Sequence, residues 1–352
     1  MSSAPQLRTL HQPLVWFAAS MAVLAVFSAG GLVLDDRVLV GAPIWAKPFK
    51  FAVSFIAYAL TLAWMLSLLP GTRARRVGWW AGTVVAVTSL GEMVLITTQV
   101  VRGKQSHFNN ATPFDAAVFQ AMGITVVALW LAALVIAVLL LRARILDRAT
   151  AWAVRLSSLI ALAGAAVGFL MVQPTPQQLA EDDPAIVGAH GVGVVDGGPG
   201  MPLTGWSTTG GDLRIAHFFG MHALQLVPLV LLLLSALAPR FVRLADDRIR
   251  LRMALIASAA YAATFVLLTW QALRGQPLLS PDGLTAAAAG AIALLTAAAT
   301  ALALRRGASP SPSPTPPSPS SPAPAPASPS VPSVPSPSVP SASAVARQES
   351  EA

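Results

Sequence analysis

No cysteine occurs among the 352 residues, and charged residues make up only 11% of them. The missing thiols exclude disulfides, thiolate metal sites and covalently attached c-type haem. The shortage of charge excludes an ordinary soluble domain, in which about 25% of residues are charged. Apolar residues reach 55%. This composition is typical of a polytopic membrane protein.

Eight apolar runs are each about long enough to span a bilayer. The first is too long for the h-region of a signal peptide and precedes no convincing cleavage site, so we interpret it as a retained helix. The sequence thus predicts an all-α bundle of transmembrane helices within a transmembrane domain, residues 1–306. The predicted spans are 14–34, 49–69, 79–101, 116–141, 152–172, 213–237, 253–273 and 284–304.

The net charge of +8 is interpreted as a topology signal, not as a nucleic-acid-binding surface. Arginines cluster between alternate apolar runs, and this set of segments carries more than twice as many Lys and Arg as the other set. The positive-inside rule therefore predicts that both termini are cytoplasmic. The longest loop, 173–212, has no Lys or Arg and is expected outside. The Ala/Leu/Arg-rich, Lys-poor composition favours a bacterial plasma membrane.

The C-terminal segment 307–352 has a different composition. Nearly half of the chain's 29 prolines lie between Pro310 and Pro340, where they alternate with Ser and Ala. Such a segment lacks the apolar residues needed for a core. It is predicted to be a disordered cytoplasmic tail that acts as a spacer.

Two helix ends resemble each other in sequence. Residues 99–104 read QVVRGK and residues 271–276 read QALRGQ, and each is followed by a hydroxyl-proline helix start, at Thr112 and at Ser280. The helices concerned are four apart, so two parallel four-helix halves would superpose them. The alternative is that two outward helix ends each carry a snorkelling arginine and a C-cap glycine.

The candidate site is built on ionisable residues inside apolar runs. Glu92 lies ten residues before Arg102, about 15 Å below the helix end, and His222 lies ten residues after Asp212. Because both reach a similar depth, they are predicted to form an acid–base pair at the base of an outward-facing pocket. The predicted ligand-binding residues nearer its mouth are Lys47, Lys50, Gln99, Arg102, His107, Asn109, Arg214, His217 and Gln225.

A resident cofactor has little support in the sequence. His217 and His222 are five residues apart, whereas chelation from one helix favours a spacing of four. Haem would need a facing histidine on another helix, and His107 is expected to lie too shallow for a buried macrocycle. No metal ligand is therefore predicted, and metal or haem stays a weakly supported alternative.

Three function classes fit these residues. The first is a site that binds or processes a small anionic molecule or a lipid headgroup. The second is a proton-coupled secondary transporter with Glu92 and His222 as its relay. The third is a structural protein whose polar residues only join helices. Because the segments 127–141 and 227–237 are almost purely apolar, a site open at one end is favoured. Membrane lipids are the expected partners.

Three motifs also suggest a relationship. They are WxKPxKF at 45–51, RGxxSHFN at 102–109 and DLRxxHFFGxHxLQ at 212–225. Together they resemble a family of uncharacterised bacterial multi-pass membrane proteins. The resemblance covers roughly residues 45–274 and implies no activity. It indicates that the polar residues within these motifs are those that a function would use.

Overall fold

The computed structural model describes residues 7–305, and these form an α-helical bundle. Within this range eight helical segments are long and apolar enough to cross a membrane. The prediction of an all-α polytopic bundle is confirmed, and the chain is an integral, multi-pass membrane protein. The helices are α1 (Gln12–Leu34), α2 (Ala46–Ser67), α3 (Thr72–Arg102), α4 (Pro113–Arg142), α5 (Arg148–Ala166), α6 (Gly168–Met171), α7 (Leu213–Leu237), α8 (Asp247–Leu273) and α9 (Gly283–Arg305).

The short elements lie in the connections. A single residue separates α5 from α6, and the two count as one candidate span. In the described part of the chain, four two-residue strands form two antiparallel ladders, β1 with β2 and β3 with β4. The strands are β1 (Val38–Leu39), β2 (Ala42–Pro43), β3 (Gly191–Val192) and β4 (Gly211–Asp212), and single-turn 3₁₀ helices cover Leu7–Thr9, Gln178–Ala180 and Val242–Ala245.

The helix starts follow capping chemistry. The Thr112 hydroxyl accepts a hydrogen bond from the Asp115 N–H (3.1 Å), and Pro113 occupies the first helical position of α4, as its sequence predicts,. At α9 the cap is Asp282, whose Oδ1 accepts from the Thr285 N–H (2.8 Å). The expected cap there was Ser280, which instead belongs to the preceding turn. The cap lies later because a carboxylate directly precedes the helix.

Packing divides the bundle between two groups of helices. The largest buried cluster draws its side chains mainly from α1 to α4, whereas α7 packs against both α5 and α8. The α5–α7 contact is backbone to backbone, since a Cβ added to Gly164 would lie 2.5 Å from the Cα of Gly220. Small residues commonly allow such close approach of membrane helices. Helix α9 packs against α8.

One end of the bundle, called the loop end here, gathers the segments 103–112 and 172–212. The starts of α2 and α7 and the end of α3 also lie there. The β3–β4 ladder pairs two parts of the segment 172–212, and an isolated bridge between Asn109 and Ile186 joins that segment to 103–112. The tail predicted at 307–352 lies outside the described residues. The side of the membrane on which each loop lies and the four-plus-four repeat both stay predictions.

Candidate functional site

The segment 103–112 turns back into the bundle. Helix α3 ends at Gly103, whose left-handed conformation (φ +70°) redirects the chain,. The Asn109 side chain fixes the shape of the segment. It donates to the backbone carbonyl of Gln105 (2.9 Å) and accepts from the N–H of Ala111 (3.0 Å). Phe108 is 2% exposed. The adjacent His107 is thereby carried inward, and Asn109, predicted to bind ligand, has a structural role.

Glu92 is the acid that His107 meets. Its side chain projects from the buried face of α3 and is almost fully enclosed. The hydroxyl of Thr125, on α4, donates to Oε2 (2.9 Å), and Nε2 of His107 lies 3.7 Å from Oε1. The second distance is longer than a hydrogen bond, and it allows one to form after a small movement or through one water.

Lys47 lies on the opposite edge of the same imidazole. Its ammonium is 3.1 Å from Nδ1 of His107 and donates to the Ser106 hydroxyl (2.8 Å). An ammonium has only donors, so Nδ1 is the acceptor, and the ring proton sits on Nε2, which faces Glu92. Lys47, His107 and Glu92 therefore lie in donor–acceptor order, with a hydrogen bond at the first step and a separation of 3.7 Å at the second. They are called the polar triad below.

The surroundings keep the His107 ring neutral. Burial is the main cause that lowers the pKa of His107 well below its ordinary value of 6.5. The positive charge of Lys47 acts in the same direction, as do the nearby imidazoles of His190 and His217. A neutral imidazole can accept a proton at one nitrogen while it gives one up at the other. This is the arrangement needed to pass a proton between Lys47 and Glu92.

His222, the predicted partner of Glu92, makes a different contact. Its Nδ1 lies 3.3 Å from Oε1 of Gln225, one turn along α7. Among residues 7–305, neither a hydrogen bond nor an ion pair joins Glu92 to His222. The structure brings His107 to Glu92 instead. Depths counted along straight helices place the loop histidine near the surface, so helical spacing does not predict a segment that folds inward.

A second imidazole–carboxylate pair lies in the long loop. Nδ1 of His190 is 2.7 Å from Asp196, whose carboxylate also accepts from the N–H groups of His190 and Gly191. Burial alone would raise the pKa of Asp196, but these hydrogen bonds outweigh it and lower the pKa to about 2. Burial also lowers the pKa of His190. This pair is not predictable from the sequence, because a six-residue separation within a loop gives no sign of contact.

His217 is held just below the start of α7. Its Nδ1 donates to the carbonyl of Gly164 (2.9 Å), while the Leu213 N–H one turn earlier donates to the carbonyl of His190 (3.0 Å). His190 and His217 are thus both drawn to the N-terminal end of α7. Even so, no group of three or more His, Asp or Glu side chains in the described part of the chain could hold a metal ion.

Two further predicted cations reach the loop end. Lys50 donates to the carbonyl of Thr204 (2.9 Å). Arg214 donates to the Asp212 carboxylate (2.6 Å) and to the carbonyl of Gly205 (2.7 Å). The two consecutive carbonyls therefore hold two cations from different helices.

These carbonyls belong to a tight hairpin, residues 200–207. Gly200 and Ser207 are bridged, and the Met201 N–H donates to the carbonyl of Trp206 (2.7 Å). At its tip Leu203 has a positive φ of 66°, and its side chain is 94% exposed. A leucine in this conformation costs about 1–2 kcal/mol, so the tip is strained without any compensating burial of that side chain.

Arg102 and Gln99 belong to a separate network. Nη1 of Arg102 lies 2.6 Å from Asp115, and the Gln99 amide donates to the same carboxylate oxygen (2.8 Å). The guanidinium stacks on Phe114, 4.3 Å from the ring centroid. These two predicted ligand-binding residues therefore join α3 to the start of α4, and within residues 7–305 neither forms a hydrogen bond or an ion pair with Glu92.

Comparison with known proteins identified no relative of this chain. No family model matches the chain, and neither a curated protein nor a solved structure is significantly similar to it. The resemblance drawn from the three motifs therefore stays a prediction. The chemistry of the site rests on the contacts of its own residues, chiefly those of the polar triad.

Proposed function

We propose that this integral membrane protein binds a small anionic ligand or an anionic lipid headgroup at its loop end and exchanges a proton with it. The observation that carries the proposal is the polar triad. An enclosed carboxylate, a neutral imidazole and an ammonium lie in series, with 3.7 Å and 3.1 Å between neighbours. Such a series suits general acid–base chemistry on a ligand that reaches the Lys47 end.

The charges at that end favour an anion. In residues 7–305 neither Lys47 nor Lys50 forms an ion pair with a carboxylate, whereas Arg214 is paired with Asp212. The two lysines are one helical turn apart near the start of α2 and therefore project from similar faces. A phosphate or carboxylate group placed between them would gain two charge-assisted hydrogen bonds.

The hairpin supports the same ligand class. The carbonyl oxygens of Thr204 and Gly205 accept hydrogen bonds from Lys50 and Arg214. Oxygen atoms of a ligand would satisfy the same donors, and a charged oxygen would do so more strongly than a neutral carbonyl. The ligand is therefore expected to displace the hairpin tip.

The distribution of Lys and Arg indicates the side of the membrane to which the site would open. The loop end carries the segment 173–212, which lacks Lys and Arg, and the opposite segments carry the arginine clusters. On the positive-inside rule the site opens away from the cytoplasm of a bacterial plasma membrane, and both termini are cytoplasmic. A substituted-cysteine scan would test this directly, because the native chain has no cysteine.

Binding by the full-length protein in lipid nanodiscs tests the proposal. Calorimetric titrations with inorganic phosphate, glycerol phosphate and acetate separate free anions from a headgroup. Lys47→Met is expected to weaken binding about tenfold, the effect of losing one charge-assisted hydrogen bond. Lys104→Gln is the control, since Lys104 also lies at the loop end, in the segment 103–112, but is exposed.

The outcomes separate the three function classes. A folded Lys47→Met variant that binds all three probes as the wild type does would contradict the proposal, as would a wild type that binds none. In proteoliposomes, proton uptake driven by a gradient of the bound anion would favour the transporter. Loss of thermal stability in Lys47→Met and Glu92→Gln without any ligand binding would favour the structural reading.

A further inference from the structure

An apolar groove lies between α1 and α3 on the outside of the bundle. Its volume is about 510 Å³, within the range of pockets that hold small organic ligands. Leu90 and Val94 line it and are 43% and 56% exposed, so the groove faces the lipid side of these helices. Its lining residues are Ser20, Met21, Leu24, Leu90, Met93, Val94, Thr97, Thr98, Val101 and Arg102.

Arg102 closes the groove at the loop end and is its only charged lining residue. Within residues 7–305 its hydrogen bonds to Asp115 and Gln99 both use Nη1. Nε and Nη2 form no hydrogen bond with protein atoms in the same range, and the side chain is 34% exposed. The Nε–Nη2 edge of a guanidinium is a planar pair of donors that matches phosphate oxygens.

Two more basic residues surround this end of the groove. Nη1 of Arg37 donates to the carbonyl of Val101 (3.3 Å), which places it at the end of α3, although Asp35 offsets its charge. Lys104 is exposed two residues after Arg102. Arg37 and Arg102 are each paired with an acid, and Asp36 adjoins Arg37, so the attraction for an anionic group here rests on the free edge of Arg102 and on the exposed Lys104.

We propose that the α1–α3 groove binds one acyl chain of an anionic phospholipid, whose phosphate is held by the Nε–Nη2 edge of Arg102. The apolar walls favour a lipid chain. The arginine favours a headgroup whose phosphate charge is not neutralised by a choline. The site is independent of the polar triad. Leu90 and Val94 each lie about 160° around α3 from Glu92, and Glu92 contacts α4.

Native mass spectrometry of the full-length protein released from detergent tests this site. Phosphatidylglycerol and phosphatidylcholine with identical chains are titrated in turn. We expect one phosphatidylglycerol to bind about tenfold more tightly than phosphatidylcholine, since a bidentate arginine–phosphate contact accounts for about that factor. Arg102→Gln should abolish the preference, and Val94→Trp, which fills the groove from its exposed side, should weaken binding of both lipids.

Arg274→Gln is the matched control. Arg274 also stacks on an aromatic ring (Trp270, 4.4 Å) and pairs with an acid at the start of the next helix (Asp282, 2.6 Å), but it does not line the α1–α3 groove. The control is expected to keep the lipid preference. Measuring the variants also in a Lys47→Met background removes any headgroup held at the proposed anion site from the comparison.

Some results would overturn the proposal. Equal binding of both lipids by the wild type would do so. A Val94→Trp variant that retains the wild-type affinity would do so as well, and this variant leaves the Arg102–Asp115 pair intact. Competition by millimolar inorganic phosphate without any effect of Val94→Trp would identify a site for free phosphate and reject the lipid.

Discussion

Nε2 of His107 lies 3.7 Å from Oε1 of Glu92, so a loop residue and a residue almost three turns inside α3 meet at one depth. The loop brings the imidazole inward, so Glu92 is reached from the loop end through a residue of the segment 103–112. Together with Lys47 on the other edge of the ring, this contact would provide the proton route of the proposed function.

Stability is expected to fall when the pH drops below about 6.5. Burial lowers the pKa of His107 and of His190, so the folded protein holds both rings neutral, whereas the unfolded chain takes up protons near the ordinary value of 6.5,. Their contribution to stability is therefore fully present above 6.5 and is lost progressively below it. Chemical denaturation in detergent at about pH 7 and pH 5 measures the difference.

His107→Gln should flatten this pH dependence, because glutamine has no imidazole that takes up a proton in this pH range. Lys104→Gln removes an exposed charge and no imidazole, so it serves as the control. Asp196 affects stability in a separate, lower pH range. Its pKa of about 2 lies below the ordinary 3.8, so its contribution to the free energy of unfolding disappears only as the pH falls between these two values. Identical slopes for wild type and His107→Gln between pH 7 and 5 would contradict the assignment.

The α5–α7 contact is expected to tolerate no side chain. A methyl group added to Gly164 would lie 2.5 Å from backbone atoms of Gly220, so the helices must separate, and His217 would lose its acceptor on α5. Gly164→Ala should destabilise the protein by about 1–3 kcal/mol, as overpacked cores do. Denaturant unfolding in detergent measures the loss.

Gly91→Ala is the matched control for that experiment. Gly91 is also a helical glycine, but a Cβ there meets no atom within 4 Å. Replacing it should leave stability unchanged or raise it by up to about 1 kcal/mol, because alanine is the better helix former. If both substitutions had the same effect, close α5–α7 packing would not be the cause.

Asp115 is expected to matter far more for stability than Asp282. Both accept a hydrogen bond from an arginine at 2.6 Å, but Asp115 is 1% exposed and Asp282 is 37% exposed. Asp115→Ala leaves Arg102 and Gln99 without their shared acceptor and should cost about 1–3 kcal/mol. Asp282→Ala should cost less, because solvent replaces an exposed partner. Equal losses in thermal unfolding would argue against this difference in burial.

The fold could be predicted from the sequence because each apolar run is about as long as a membrane-spanning helix. The run 213–237 matches α7 residue for residue, whereas α3 begins at Thr72, seven residues before the predicted start of 79. Hydropathy marks the apolar part of a helix, and a polar first turn such as Thr72 to Arg75 continues the same hydrogen-bonding pattern outside it. Element type was therefore predictable, and element ends were less so.

The site could be predicted only in part, for a different reason. Glu92 stands out because an acid within an apolar run must have a partner. Its partner depended on the path of a loop, and that path is fixed by Gly103, by the Asn109 hydrogen bonds and by burial of Phe108. The same limit applies to His190 and Asp196, whose contact has no periodic signal. Helical spacing orders residues along a helix, but it contains no information about a chain that folds back.

The hairpin 200–207 is expected to compete with the proposed anionic ligand. Its carbonyls at Thr204 and Gly205 occupy donors of Lys50 and Arg214, and its tip holds Leu203 in a strained conformation. Gly200 and Ser207 are already paired, so a two-residue Asn-Gly turn in place of 201–206 would close the ladder. Freeing one such hydrogen bond is worth about 1 kcal/mol, so phosphate should bind about fivefold more tightly.

Calorimetry of the shortened protein in nanodiscs measures this gain, and the same shortening combined with Lys50→Met provides the control. The double variant should lose the gain, because the released donor is then absent. Unchanged phosphate affinity after shortening would mean that the hairpin does not occupy the ligand's position. Weaker affinity in a protein that retains its thermal stability would mean that residues 201–206 contribute to the binding site, so that the hairpin would be part of the site and not its competitor.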